Sequence, residues 1–257
     1  MHHEREPLPT RVDALPPLPA EYEATLDQGL DELGLTLDPS ARRAIDDHAR
    51  LLLAWTGAIN LTAIRDPAGV ARAHVVDSLT GLAPLRTRGI DRFLDLGSGG
   101  GYPAIPLAAA LPAKRALLVD SVAKKAGFLA VAAEAAGLAQ VVEAHSSRVE
   151  ALAADGRHRE RWPAITARAV GSLAELAELA FPLLAPGGIL VAWKRGDIAA
   201  ELGRMRRACG ALGGGTVDLL PVTATGLAGH LIVVVTKTGQ TDDAYPRDPS
   251  VRRRRPW

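Results

Sequence analysis

A short hydrophobic run that breaks into four glycines restricts this chain more than any other feature of its sequence. Residues 93–108 read FLDLGSGGGYPAIPLA, a strand-like stretch followed by glycines, two prolines and an alanine-rich segment. Glycine accepts positive φ and leaves no side chain in the way, so the backbone at this turn can approach a ligand closely. The prolines suit the first turn of a helix, where backbone N–H groups lack partners. The segment therefore predicts a strand, a ligand-binding loop and a helix in direct succession.

From residue 89 onward, strand-like runs alternate with alanine-rich helical stretches, which predicts an α/β fold with a parallel sheet and right-handed crossovers. The expected strands lie at 92–96, 115–119, 140–144, 164–167 and 188–193. The expected helices lie at 103–111, 122–137, 146–154 and 170–184. Residues 215–237 differ, because two strand-like runs there are joined by a glycine-containing loop. That pattern predicts an antiparallel hairpin that closes the sheet edge.

The regions outside this alternation have different patterns. Residues 20–88 show helical spacing only and predict an N-terminal helical region, with helices at about 22–35, from Asp38 onward and at about 67–85. Residues 1–19 contain five prolines and no periodicity, which predicts a disordered tail. The chain ends in a basic tail. We therefore divide it into residues 1–19, 20–88, 89–240 and 241–257.

Composition excludes some classes of protein and leaves others open. The 257 residues hold 30 Lys and Arg against 29 Asp and Glu, a net charge of +1 that neither indicates nor excludes a nucleic-acid partner. The single cysteine, Cys209, cannot form an intramolecular disulfide or a cysteine metal cluster, and we expect no metal site. The N-terminus lacks a secretory signal and no apolar run is long enough to cross a membrane. We therefore expect a cytoplasmic protein without a membrane partner.

The glycine loop has three interpretations. A dinucleotide fingerprint requires Gly-x-Gly-x-x-Gly, which fails at Tyr102 when counted from Gly97 and passes in relaxed form at Ala104 when counted from Gly99. A site for S-adenosylmethionine favours an acidic residue followed by Gly-x-Gly-x-Gly, and those positions are Asp95, Gly97, Gly99 and Gly101. A tight turn without a ligand is the third interpretation. The closing hairpin favours the methyl donor, because a dinucleotide domain needs a sixth parallel strand and another crossover.

Two further strand ends carry candidate binding residues. Asp120 ends the second strand, where a carboxylate can accept both ribose hydroxyls of an adenosine, each bond being worth about 1.5–3 kcal/mol. The alternative for Asp120 is to cap the helix at 122–137, a role that Ser121 also suits. The third strand ends in EAHSSRVEAL, where such folds meet an adenine edge, although an ordinary loop explains this segment almost as well.

Six segments together resemble one known family. They are NLTAIRDP (60–67), HVVDSL (74–79), DLGSGGGYPAIPLA (95–108), SRVEAL (147–152), TARAVGSL (166–173) and LLAPGGILVAWKRG (183–196). In this order and spacing, from about Ala41 to the C-terminus, they resemble the bacterial 16S rRNA (guanine-N7) methyltransferase G family, also called the glucose-inhibited division protein B family. The sequence departs from the family pattern at Ala104, where glycine usually follows Pro103.

The resemblance implies a seven-stranded, Rossmann-like methyltransferase domain with S-adenosylmethionine as cofactor. It also implies methylation of N7 of a guanine in the 530 loop, with 16S rRNA or a small-subunit assembly intermediate as partner, and we expect a monomer. The motif positions carry over cofactor contacts to Gly97, Tyr102, Val149, Glu150 and Arg168. With the glycine motif and the second strand, the expected cofactor residues are Gly97, Gly99, Gly101, Tyr102, Asp120, Val149, Glu150 and Arg168.

Methylation of guanine N7 needs no general base, since N7 carries a lone pair and no proton. Arg168 and Lys194 follow the fourth and fifth strands, and we expect both to be catalytic. Arg168 would contact the cofactor side and serve turnover more than folding, and Lys194 would contact RNA. For each residue, a surface cation at a strand end is the alternative. Asn60, His74 and Asp77 either fold over the pocket or form a buried polar network. The run Arg252–Arg255 is expected to contact RNA phosphates.

Three other functions remain open from the residues alone. A small-molecule methyltransferase would have a closed acceptor pocket and no salt-sensitive binding of RNA. An oxidoreductase would bind NAD in place of S-adenosylmethionine. A non-catalytic RNA-binding protein would bind ribosomal RNA without turnover.

Overall fold

The computed structural model describes residues 7–257, which form one seven-stranded sheet with helices on both faces. The strands are β1 (Arg92–Leu96), β2 (Arg115–Asp120), β3 (Val142–Ser146), β4 (Trp162–Arg168), β5 (Leu184–Arg195), β6 (Gly215–Pro221) and β7 (His230–Lys237). The helices are α1 (Ala20–Glu32), α2 (Pro39–Ile59), α3 (Pro67–Val70), α4 (Asp77–Leu79), α5 (Leu82–Thr87), α6 (Ala104–Ala110), α7 (Ala123–Ala135), α8 (Val149–Ala154), α9 (Leu173–Ala180), α10 (Ala199–Ala211) and α11 (Pro249–Arg254).

The strand order is β3-β2-β1-β4-β5-β7-β6. The first five strands in this order are parallel to one another, and β7 is antiparallel to both β5 and β6. The direction of winding reverses between β1 and β4, so the loops that follow these two strands diverge. In open α/β sheets, the crevice at such a reversal is where ligands bind. The topology therefore places the candidate site beside the glycine loop and the loop after Arg168.

The predicted α/β class is confirmed, and so is the antiparallel pairing of the last two strands. Several bounds shift by two to four residues, the helix α10 was not predicted, and two further details differ from the sequence-based expectation. The helix expected at 170–184 ends at Ala180, because Pro182 cannot donate the next backbone hydrogen bond. The final strand, β7, lies between β5 and β6, so β6 forms the edge of the sheet.

The N-terminal helices pack directly on the sheet. Asp38 caps α2 as predicted, since its carboxylate accepts hydrogen bonds from the backbone N–H groups of Ser40 and Ala41. Tyr22 of α1 belongs to the same continuous core as Phe93 of β1. The helical region and the sheet thus share one hydrophobic core.

The third predicted helix is not uniform. It begins at Pro67, capped by Asp66, and continues through a π-helical turn at Ala71–Val76 into α4. Single π turns within helices occur frequently at functional sites. This turn carries His74, and Asp77 follows it at once.

The prediction of disorder is wrong for residues 7–19, and residues 1–6 lie outside the described part of the chain. Arg50 of α2 donates to the carbonyl oxygens of Val12 (2.8 Å) and Pro16 (3.0 Å), and the Trp55 indole donates to that of Pro9 (2.6 Å). Prolines leave carbonyl groups free to accept such bonds. The proline-rich segment is therefore held along α2 by side chains of the folded protein.

Within residues 7–257, no helix combines the length and the apolar character that a membrane crossing requires. No group of three or more His, Cys, Asp or Glu side chains in the same range could hold a metal ion. Cys209 of α10 is buried in the hydrophobic core that this helix shares with α9 and the sheet.

Candidate active site

The glycine loop has the backbone conformation that its composition predicts. Gly97, Gly99 and Gly101 have φ values of +68°, +53° and +87°. Side chains with a Cβ rarely adopt this region, so glycine is needed at each position. The backbone N–H groups of Gly97 and Ser98 both donate to the carbonyl of Val119, which ties the loop to the end of β2.

The glycines of the loop face different surroundings. A Cβ placed on Gly99 would meet only the carbonyl of Gly97, at 3.7 Å, so the space beside it is open. A Cβ on Gly101 would lie 2.7 Å from Nε2 of His48, because α2 packs against that part of the loop. Gly99 thus borders open space that a ligand could occupy, whereas Gly101 allows the close approach of α2.

Asp120 connects β2 to this loop. Its Oδ2 accepts from the Gly99 N–H and its Oδ1 from the Val122 N–H, both at 2.9 Å. The helix α7 begins after Val122 and receives no side-chain cap, so Asp120 closes the preceding turn and is not the N-cap. Each carboxylate oxygen has a second lone pair. Asp120 therefore keeps acceptor capacity for hydroxyl groups of a ligand.

One cavity, here called the glycine-loop cavity, joins the ends of β1, β2 and β3. Its lining residues are Leu96, Gly97, Val119, Asp120, Ser121, Ser147, Arg148, Val149, Glu150, Val170 and Leu179. It brings together four of the expected cofactor residues, Gly97, Asp120, Val149 and Glu150. Gly99 adjoins them through its bond to Asp120, whereas Gly101, Tyr102 and Arg168 do not line this cavity.

Asp95 lies beneath the loop and is completely buried. Thr166, its register partner on β4, donates its hydroxyl to Asp95 Oδ1 at 2.5 Å, while Oδ2 has no hydrogen-bond partner within residues 7–257. Burial raises the pKa of the Asp95 carboxyl to about 7. A buried carboxylate oxygen without a donor is costly, so this acid holds its proton in conditions where an exposed aspartate has lost it.

This pKa predicts a pH-dependent contribution to stability. The unfolded chain releases the Asp95 proton near pH 3.8, whereas the native state keeps it up to about pH 7. The contribution of Asp95 is therefore complete below about pH 4 and is lost as the pH rises through 7. As the pH rises from 5 to 8, the free energy of unfolding of Asp95→Asn should increase by about 2.7 kcal/mol relative to that of the native protein, because about two pH units of the loss lie between pH 5 and pH 7. Urea denaturation of both proteins across this range measures the difference. A difference that stays constant with pH would contradict the prediction.

A second cavity, here called the strand-end cavity, opens beyond β4, β5 and the start of β7. Its lining residues are Asp77, Ala167, Arg168, Ala169, Val170, Leu176, Trp193, Lys194, Arg195 and His230. Val170 borders both cavities. The preceding residue, Ala169, has a φ of +59°, an uncommon conformation for a residue other than glycine. The loop after β4 is thus the wall between the two cavities.

Arg168 is the centre of a polar network that joins this sheet edge to the helical region. Its guanidinium donates to Asp77 Oδ2 (2.7 Å), to the Ala73 carbonyl (3.0 Å) and to His74 Nδ1 (3.1 Å). The Asp77 side chain is only 4% exposed, and its other oxygen lies 2.9 Å from Nδ1 of His230. The expectation that Arg168 serves turnover more than folding stays a prediction, and the pairing of Arg168 with a buried carboxylate gives it a structural role beside that one. His74 and Asp77 belong to a buried network, one of the two predicted alternatives, whereas Asn60 is exposed at the end of α2.

Two histidines beside the loop are neutral. A guanidinium can only donate, so His74 Nδ1 accepts from Arg168 and its Nε2–H donates to Thr62 Oγ1 at 2.7 Å. Burial, with the nearby charge of Arg168, lowers the pKa of His74 to about 4. His48 donates its Nε2–H to the Gly100 carbonyl at 2.8 Å, and burial lowers its pKa to about 3. Neither ring adds positive charge at neutral pH.

Tyr102 lies behind the glycine loop. Its ring stacks on His74 with 4.8 Å between centroids and contacts His48 at 4.4 Å. Its hydroxyl is buried and has no hydrogen-bond partner among the described residues. In this structure Tyr102 supports the loop from the helical side.

Lys194 is held within the protein. Its ammonium group donates to the carbonyl of Gly171 (3.1 Å) and to Glu201 Oε2 (2.9 Å), and the side chain is 16% exposed. The alternative of a surface cation at a strand end does not hold, because Lys194 is paired with Glu201 of α10, and the expected contact with RNA stays a prediction. An ammonium group has three N–H bonds, and one remains beyond these two partners.

His230 and Arg195 line the strand-end cavity, and neither was identified from the sequence. Arg195 ends β5 and pairs in register with His230 at the start of the antiparallel β7. Because β7 runs antiparallel to β5, it begins at the edge of the sheet where the parallel strands end. The predicted antiparallel hairpin could therefore have indicated that the first residue of its second strand, His230, lies beside the site.

The fold and this site define a class of protein. A Rossmann-like sheet with an antiparallel last strand, a glycine loop after β1 and an acid ending β2 is the arrangement of S-adenosylmethionine-dependent methyltransferases. Two solved structures share the fold: an O-methyltransferase from Bacillus cereus in complex with SAH (TM-score 0.57, 18% identical, covering 84% of this chain and 100% of that one) and an O-methyltransferase from Streptomyces achromogenes in complex with SAM (TM-score 0.50, 22% identical, covering 79% and 92%).

The sequence comparisons identify the family. The model of the family described as rRNA small subunit methyltransferase G (GidB) matches residues 41–224. A Ribosomal RNA small subunit methyltransferase G from Roseiflexus sp. (strain RS-1) is 41% identical, over 87% of this chain and 94% of that protein. Another, from Deinococcus radiodurans, is 39% identical over 95% of both chains. The chain belongs to the rRNA small subunit methyltransferase G family.

Proposed function

We propose that this chain transfers a methyl group from S-adenosylmethionine to N7 of a guanine in the 530 loop of 16S rRNA, either in the free RNA or in a small-subunit assembly intermediate. Membership of the small-subunit rRNA methyltransferase family supports RNA as the substrate. The observation that carries the proposal is the pair of cavities that meet at Val170, one lined by the glycine loop and the other by cationic side chains.

The glycine-loop cavity has the features that an adenosine-containing cofactor requires. The open space beside Gly99 admits a ligand to the backbone, and Asp120 keeps lone pairs for ribose hydroxyls. Val149 and Glu150 line the opposite wall, where they would contact the adenine. When bound, S-adenosylmethionine supplies an electrophilic methyl group on a positively charged sulfur. Gly97 borders this cavity beside Val170, and so lies on the side nearest the acceptor.

The strand-end cavity suits a base whose acceptor atom needs no deprotonation. Guanine N7 carries a lone pair, so the chain has only to orient the base and exclude water. A donor placed on N7 would block the reaction, whereas donors to the neighbouring O6 or to phosphates would orient the base. Arg168 is held by Asp77 and serves as such a fixed donor, and the remaining N–H of Lys194 serves as a second. Trp193, which also lines the cavity, offers an aromatic surface.

A single copy of the chain contains both cavities, which supports a monomer as the active form. Ribosomal subunits are assembled in the bacterial cytoplasm, so the proposal includes a cytoplasmic location. A small-molecule substrate is less consistent with the exposed Arg195 at the mouth of the strand-end cavity.

The acceptor atom is tested directly with a synthetic fragment of the 530 loop. The purified chain should transfer a radiolabelled methyl group from S-adenosylmethionine to the fragment, and mass spectrometry of the digested RNA should identify 7-methylguanosine. A fragment in which 7-deazaguanine replaces the target guanine provides the matched control, since it differs by one ring atom. Methyl transfer to the 7-deaza fragment at an equal rate would exclude N7 as the acceptor. If the naked fragment is inactive, the same pair is compared within reconstituted small subunits.

A further inference from the structure

The C-terminal segment is built into the fold beside the glycine-loop cavity. We define residues 241–257 as the C-terminal arm. The first residues of the arm are held by Arg159, whose guanidinium donates to the carbonyl oxygens of Thr241 (3.2 Å), Asp242 (3.0 Å) and Tyr245 (3.1 Å). Three backbone acceptors on one side chain fix the course of the arm at this point.

The tip of the arm is fixed by one completely buried carboxylate. Glu178 of α9 accepts from Arg247 Nε (2.9 Å) and Nη2 (2.6 Å), from the Arg247 backbone N–H (2.9 Å) and from the Trp257 indole (2.7 Å). Burial opposes ionisation of Glu178, but the hydrogen bonds from Arg247 and Trp257, with the charge of Arg247, outweigh burial and hold the pKa of Glu178 below its ordinary value. The Arg247 guanidinium also lies 4.6 Å from the centre of the Trp257 ring. These contacts hold the C-terminal arm against α9, so it is an ordered part of the fold.

This anchoring directs one arginine of the basic run inward. Arg252 donates to Glu150 Oε1 (2.5 Å) and to the Arg247 carbonyl (2.6 Å), and its side chain is 10% exposed. The next three residues, Arg253, Arg254 and Arg255, are exposed. The expectation that the whole run contacts RNA phosphates is therefore corrected for its first member. Only the three exposed arginines keep that role as a proposal.

Glu150 depends on Arg252 for its placement. It lines the glycine-loop cavity, and within residues 7–257 Arg252 is the one hydrogen-bond partner of its carboxylate. Arg252 Nε is buried without a hydrogen-bond acceptor, which is unfavourable. The ion pair with Glu150 offsets part of this unfavourable free energy. A glutamate released from such a pair regains its rotamers and must be ordered again when a ligand binds.

We propose that Arg252 is a positioning residue of the cofactor site, acting through Glu150, so that the C-terminal arm completes the wall against which the adenine end of the cofactor binds. The inference rests on the proposed function, because it assigns Glu150 to the cofactor. It gives the arm a role in binding S-adenosylmethionine that is separate from any contact with RNA.

The proposal predicts a loss of cofactor affinity without RNA present. Arg252→Gln should raise the Kd for S-adenosylmethionine about 3- to 10-fold in calorimetry, because Glu150 is no longer held. Arg255→Gln makes the same chemical change three residues away on an exposed side chain and should leave this Kd unaltered. Arg252→Lys keeps the charge and should recover part of the loss. In methylation assays, Arg252→Gln should raise the KM for S-adenosylmethionine and leave kcat close to that of the native chain.

A double-mutant comparison separates this inference from the proposed function. If Arg252 acts through Glu150, then Arg252→Gln should add nothing to the loss already caused by Glu150→Gln. Arg252→Gln with native affinity, beside a weakened Glu150→Gln, would overturn the positioning role alone. Independent and additive losses would also overturn it, since Arg252 would then act by another route. Native affinity in Glu150→Gln would overturn both the inference and the assignment of Glu150 to the cofactor. Thermal melting without ligand identifies any variant that fails to fold, and Arg252→Lys then carries the test.

Discussion

Arg168→Ala should lower the free energy of unfolding by about 3–5 kcal/mol, the cost of removing one partner of a buried ion pair. The substitution leaves Asp77, whose side chain is 4% exposed, with His230 as its remaining side-chain partner. It also leaves the Ala73 carbonyl and His74 Nδ1 without their donor. Urea denaturation at pH 7.5 measures the effect, and methylation at a temperature where the variant is folded measures activity separately.

Two further variants test the cause of this loss. Arg195→Ala removes an exposed cation from the same cavity and should change stability by no more than about 0.5 kcal/mol. In an Asp77→Asn background, Arg168→Ala should cost clearly less, because no buried charge is then left unpaired. An Arg168→Ala protein as stable as the native chain would show that the network with Asp77 contributes nothing net. Arg168 would then be free to serve turnover alone.

The frame of the site could be predicted because local patterns determine it. The hydrophobic runs around Asp95 and Asp120 predicted parallel strands, and the carboxyl ends of such strands meet at one edge. The glycines after β1 predicted positive φ at that edge, which the structure has at Gly97, Gly99 and Gly101. Each of these inferences needs only the neighbouring residues and the general geometry of α/β sheets.

The partners of the charged residues could not be predicted in the same way. Arg168 meets Asp77 across 91 positions of the chain, and Arg252 meets Glu150 across 102. Such pairs produce no periodic pattern in the sequence, because each member is an ordinary polar residue within its own element. The sequence thus indicated which cations lie near the site and not which of them are already neutralised.

The glycines and the N-terminal segment show two other limits. Gly99 and Gly101 both need positive φ, but only the position of α2 decides that one faces open space and the other faces His48. Residues 7–19 cannot bury enough apolar surface by themselves, which is why their composition predicted disorder. Their carbonyl groups instead accept from Arg50 and Trp55 on a helix that is already formed.

Gly99→Val should raise the Kd for S-adenosylmethionine at least about 100-fold, or about 2.7 kcal/mol, while the fold persists. The branched side chain enters the open space beside the loop, and the φ of +53° disfavours it by about 1–2 kcal/mol. Any relaxation of the backbone weakens the Gly99 N–H bond to Asp120. Gly137→Val is the matched control, since Gly137 has a φ of +69°, open surroundings and a place at the far end of α7. That variant should lose similar stability and keep native cofactor affinity in calorimetry. Native affinity in Gly99→Val would remove the loop from the cofactor site.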